Sequence, residues 1–124
     1  MNWIVLIAGL LSALGLITHV TIGRKKYIRP MLEAAIDPLA QNLLLCQYHF
    51  VSVAAGLSTL MILLIGLNIW RGFTAVLFFI AANYLVCAAV QFTIALRSGI
   101  SWGIFKINSW FGLVVVAALL IVGG

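Results

Sequence analysis

Four long apolar runs alternate with three more polar connections along this chain, and that alternation predicts its secondary structure. Residues 3–22 read "WIVLIAGLLSALGLITHVTI", and neither this run nor those at 42–67, 73–96 and 107–122 contains a charged residue. About 20 apolar residues in a helix cross the ~30 Å hydrocarbon core of a bilayer. The expectation is an all-α integral membrane protein: a single domain over residues 1–124, built as four transmembrane helices in an antiparallel bundle. The first run has no basic residue before it and no small-x-small site after it, and its positive charges follow it. That order favours an uncleaved anchor over a signal peptide.

Local signals refine the ends of these runs. Asp37 is suited to cap a helix and Pro38 to occupy its first position, so the second helix is expected to begin at Pro38 and extend roughly 45 Å. The segment "RPMLEAAI" is expected either to form a short interfacial helix starting at Pro30, with Met31, Leu32 and Ile36 facing the membrane, or to run as an irregular loop. The turn from Asn68 to Gly72 is short, which predicts that the second and third helices are antiparallel neighbours. No internal repeat or low-complexity linker interrupts the pattern.

Composition supports the membrane reading. The chain of 124 residues is 65% hydrophobic and 7% charged, against about 25% charged in soluble domains. Its net charge of +5 does not point to nucleic acid, because the basic residues sit between apolar runs. Arg24, Lys25, Lys26 and Arg29 lie in the first connection and Arg97 and Lys106 in the third, whereas only Arg71 lies in the second. Six against one places the two basic connections in the cytoplasm and both termini outside. It also disfavours a dual-topology dimer. Trp3 and Trp70 then fall at the outer interface, and Trp102 and Trp110 at the inner one. Arg24, Lys25, Lys26 and Arg29 are the expected contacts to lipid headgroups. Two cysteines, Cys46 and Cys87, make no disulfide framework.

Small and polar positions mark the faces expected to meet other helices. Ala8, Ser12, Gly15 and His19 form such a stripe on the first helix, and Cys46, His49, Ser52, Gly56 and Thr59 form one on the second. Asn83, Cys87 and Gln91 follow at i, i+4, i+8 on the third, and Asn108 stands one turn before Gly112 on the fourth. By helical rise, His19 and His49 lie roughly 5–9 Å inside the inner boundary. The pattern therefore predicts a polar pocket shared by all four helices in the cytoplasmic half.

Several chemistries fit such a pocket. Two histidines on facing helices suit the axial ligation of haem b, with Lys25, Lys26 or Arg29 at the propionates. A quinone would find hydrogen-bond partners in His19, His49, Gln91 and Asn108. Cys46, His49 and His19, with Cys87 nearby, offer soft-metal ligands for Cu(I) or Zn(II). The simplest expectation is no cofactor at all, with each neutral imidazole bonded to an amide or a carbonyl. Carriers coupled to ions usually need an acid within the membrane, yet Glu33 and Asp37 both lie in the first connection. A channel would need several copies. Phosphate loops, zinc-protease motifs and paired membrane carboxylates are absent.

These considerations lead to a non-catalytic accessory, assembly or stabilising subunit of a larger membrane complex, in the bacterial cytoplasmic (inner) membrane. The expected partners are the lipid bilayer and other membrane subunits or further copies of the chain, and no nucleic acid. The feature behind this expectation is a surplus of small residues. Gly66, Ala75, Ala81, Ala82, Ala88, Ala89 and Ala95 exceed what one four-helix core accommodates.

Overall fold

In a computed structural model that describes residues 1–106 and 109–124, the chain is all-helical. Helix α1 (Trp3–Thr18) continues without a break into a π-helical stretch (His19–Ile28) and then into α2 (Arg29–Glu33). After a short connection come α3 (Pro38–Gly66), α4 (Thr74–Arg97), α5 (Gly103–Lys106) and α6 (Ser109–Gly123). Three helices are long and apolar enough to cross a membrane: Trp3–Glu33, Pro38–Gly66 and Thr74–Arg97. The last apolar helix, α6, has 15 residues.

α3 begins where the Asp37–Pro38 pair predicts, and the Asp37 carboxylate accepts the Ala40 backbone N–H at 3.1 Å. It ends in a Schellman turn: Asn68, with φ of +60°, donates its N–H to Ile65 O, and Ile69 donates to Leu64 O. The segment expected as either a short helix from Pro30 or an irregular loop is helical over Arg29–Glu33, as a continuation of the first helix. Proline has no N–H and crowds the carbonyl four residues back. The turns before Pro30 are widened to π geometry, with Arg29 N–H bonded five residues back to Arg24 O, and this wider winding carries the helix through the proline.

α1 and α3 run antiparallel, as do α4 and α6. Backbones approach most closely between α1 and α3, α1 and α6, and α4 and α6. α3 and α4, expected as direct neighbours, are not among the close backbone pairs; they meet through core side chains instead. α4 buries Ala81, Ala88 and Ala95, seven residues apart, while Ala75, Ala82 and Ala89 form a second heptad series that is exposed. Small side chains at a buried seam allow helices to lie close together. The small residues thus divide as expected, with one set inside and one outside.

The core is concentrated at the end that holds both termini. Val5 and Ala8 of α1 meet Ile62 and Ile65 of α3, Leu77 and Ile80 of α4, and Val116 and Leu120 of α6. Asn2 ties this end together: its side chain caps α1 by accepting Val5 N–H and donates to Gly123 O at 2.6 Å, and its backbone N–H donates to Gly66 O at 2.9 Å. Midway along the bundle Ser12 Oγ lies 2.7 Å from Thr59 Oγ1 and 3.1 Å from Tyr84 Oη, joining three helices by hydroxyls.

Candidate functional site

At the opposite, basic end the polar side chains fall into two separate groups. The first lies between the π-helical stretch and α3. Thr18 and Thr21 donate to the carbonyls of Leu14 and Ile17, the local back-bonding that competes with regular helix. Tyr48 reaches across from α3 and donates its hydroxyl to His19 O at 2.9 Å, with Val20 O at 3.3 Å. Its ring stacks on His19, centroids 4.7 Å apart and planes at 26°. Ser52 donates to Tyr48 O. π-helical turns occur disproportionately at functional sites, so this cluster is the strongest candidate in the fold.

His49 does not meet His19 as expected. Neighbouring residues on a helix point about 100° apart, and since Tyr48 is turned toward His19, His49 is turned aside. It contacts Tyr48 edge-on at 5.6 Å and is exposed. The pair of imidazoles facing across a shared pocket, which bis-histidine haem ligation requires, is therefore not what the structure builds. His19 Nε2 is buried without a hydrogen-bond partner. Cys46 is free and exposed, and among the described residues no three His, Cys, Asp or Glu side chains come together as metal ligands. The soft-metal set of Cys46, His49 and His19 is thus not assembled: Cys46 is exposed, and Tyr48 rather than His49 faces His19.

The second group lies between α4 and α6. Gln91 Oε1 accepts a hydrogen bond from Ser109 at 2.7 Å, and Phe92 packs edge-on against Trp110 at 5.1 Å. Gln91 is thus engaged by α6 and makes no hydrogen bond to either histidine. Asn108, proposed for the same pocket, lies outside the described residues. Asn83 and Cys87 are both exposed, and Cys87 Sγ donates to Asn83 Oδ1 at 3.5 Å. The expected four-helix pocket is divided because α3 pairs with α1 and α4 pairs with α6.

Known proteins do not identify the site. No protein-family model matches the chain, and neither a curated protein nor a solved structure is significantly similar to it.

The first group surrounds a cavity of about 310 Å³. The continuous first helix contributes Val20, Arg24, Ile28 and Leu32 to its lining, and α3 contributes Leu45, Tyr48, His49 and Ser52. Arg24, Lys25, Lys26 and Arg29 are all exposed on the stretch beside it. Arg29 forms the one ion pair among the described residues, 3.1 Å to Glu33 one turn on, and both side chains are largely solvated. Tyr48 is the residue that sequence reasoning passed over. Its signal was position: it stands between Cys46 and His49, within a turn of Ser52, where a phenol in an apolar run needs a hydrogen-bond acceptor.

Proposed function

We propose that the chain is a non-catalytic membrane subunit whose exposed α3 and α4 faces pack against another membrane protein in the bacterial cytoplasmic membrane. In this reading all four apolar helices span, both termini lie outside and the basic connections face the cytoplasm. α6, about 22 Å long by helical rise, crosses with local thinning of the bilayer.

The observation that carries the proposal is Asn83. It is the tenth residue of the 24-residue α4, about 14 Å along the helix axis and so near mid-membrane. It is exposed, and its one hydrogen-bond partner among the described residues is the Cys87 thiol on its own helix. Leaving a primary amide unbonded in hydrocarbon costs several kcal/mol. A partner helix with a hydroxyl, amide or carbonyl at that depth removes the cost. Intramembrane side-chain hydrogen bonds between helices contribute about 0.6 kcal/mol on average and up to about 1.7.

The test is Asn83→Leu at native expression level, extracted in mild detergent and resolved by native electrophoresis. The wild-type chain is expected in a complex heavier than the monomer, and the variant as a folded monomer. Leucine suits lipid better than asparagine, so the variant's thermal stability is expected to be unchanged or higher. A wild-type chain recovered only as monomer, or a variant that keeps the complex intact, overturns the reading.

A further inference from the structure

We infer that the cavity between the π-helical stretch and α3 is a binding site for one anionic phospholipid, with the phosphate at Arg24 and the glycerol and upper acyl chain running past Leu45 toward Val20 and His49. This goes beyond subunit packing, and it stands or falls independently of Asn83.

Charge accounting comes first. The chain has two acidic residues, and both are occupied: Glu33 pairs with Arg29, and Asp37 caps α3. Arg24 therefore lines the cavity with no carboxylate to complement it. An anion that complements Arg24 in this cavity therefore comes from outside the chain.

The neighbouring hydroxyls narrow the choice of donors. Ser52 donates to Tyr48 O, and Tyr48 donates to His19 O. Their protons are committed within the protein, which leaves the Arg24 guanidinium and the His49 imidazole to meet a ligand. A guanidinium matches phosphate geometry through paired N–H donors.

Depth and shape select a lipid over a free anion. Arg24 is 21 residues beyond Trp3, about 30 Å by helical rise, so it stands at headgroup height when α1 spans the hydrocarbon. Val20 lies one turn deeper on the same helix, and Leu45 lines the cavity from α3, one turn nearer the basic end than His49. A guanidinium at headgroup height, with apolar Leu45 beside it and Val20 one turn below, fits a phosphodiester with its glycerol and first methylenes. At about 310 Å³ the cavity is at the small end of ligand sites, which suits part of one lipid rather than a whole cofactor.

Native mass spectrometry of the full chain in detergent, titrated with phosphatidylglycerol, phosphatidylcholine or inorganic phosphate, tests the inference. One phosphatidylglycerol per chain is expected to be retained well beyond phosphatidylcholine, and phosphate is expected not to displace it. Arg24→Gln is expected to weaken retention by about tenfold or more, as for a lost charge-assisted hydrogen bond, against about fivefold or less for Lys25→Gln, whose charge acts through the surface potential. Lys25 does not line the cavity. Leu45→Trp, which keeps every charge and fills the cavity from the α3 side, is expected to abolish retention; circular dichroism of each variant confirms that it folds. Equal retention of the two lipids, equal effects of Arg24→Gln and Lys25→Gln, full retention by folded Leu45→Trp, or displacement by phosphate each overturns the site.

Discussion

Ser12 is a small residue with a large share in fixing how three helices meet. Its hydroxyl lies within hydrogen-bond distance of Thr59 and Tyr84, and both of those residues are buried. No water competes for these groups in an apolar interior. Ser12→Ala is expected to lower the unfolding free energy by about 1 kcal/mol, within the range for intramembrane hydrogen bonds. Tyr84→Phe is expected to cost a similar amount, and the double variant clearly less than the sum, because the two changes remove one shared bond. Reversible unfolding in mixed micelles measures the cycle; additivity within about 0.3 kcal/mol would show the residues to be independent. Ser12 and Thr59 were legible in the sequence as members of small-residue stripes. Tyr84 was not, since a phenol inside an aromatic-rich run carries no spacing signal for its partner. The histidines show the opposite limit. Their common depth was legible, but which of Tyr48 and His49 turns toward α1 depends on about 100° of helix rotation, and spacing alone does not set it.

Helix ends were legible where one residue's chemistry decides them, and illegible where a neighbouring helix does. Asp37 and Pro38 mark the start of α3 by local hydrogen bonding, and the fold agrees. Pro30 carries the same kind of signal for a start, yet the helix passes through it because the preceding π turns accommodate the backbone. Glycines divide in the same way. A methyl on Gly66 would lie 2.9 Å from Leu6 N and 3.0 Å from Leu6 Cα, both backbone atoms. Neither helix can yield there without moving as a whole. Gly15 belongs to the sequence stripe but has open space around it. Gly66→Ala is therefore expected to destabilise the bundle by about 1–3 kcal/mol, the usual cost of overpacking. Gly15→Ala is expected to be neutral or to stabilise by about 0.5–1 kcal/mol through helix propensity. Thermal unfolding of the two variants in one detergent separates them, and equal effects would refute the close approach at Gly66.

At the scale of the molecule, charge and packing bear on orientation by separate routes. The Asn2 side chain bonded to Gly123 O places the start of α1 beside the end of α6, so the two termini share one end of the bundle. Arg24, Lys25, Lys26, Arg29, Arg97 and Lys106 belong to the connections at the other end, with Arg71 alone on the terminal side. The positive-inside bias then predicts that reporters fused to either terminus are active outside the cytoplasm. Replacing Arg24, Lys25, Lys26 and Arg29 with Gln leaves two basic residues against one, so little bias remains. That variant is expected to insert in both orientations, with reporters for the cytoplasm and for the exterior each partly active at the same terminus. Termini found on opposite sides in the wild-type chain would mean that α6, the shortest apolar helix, does not cross. Termini found together in the cytoplasm would mean that packing against a partner outweighs the charge bias. Because the two ends are tied by a hydrogen bond while the sidedness rests on charge, the N-terminal and C-terminal reporters are expected to change together in the glutamine variant, never one without the other.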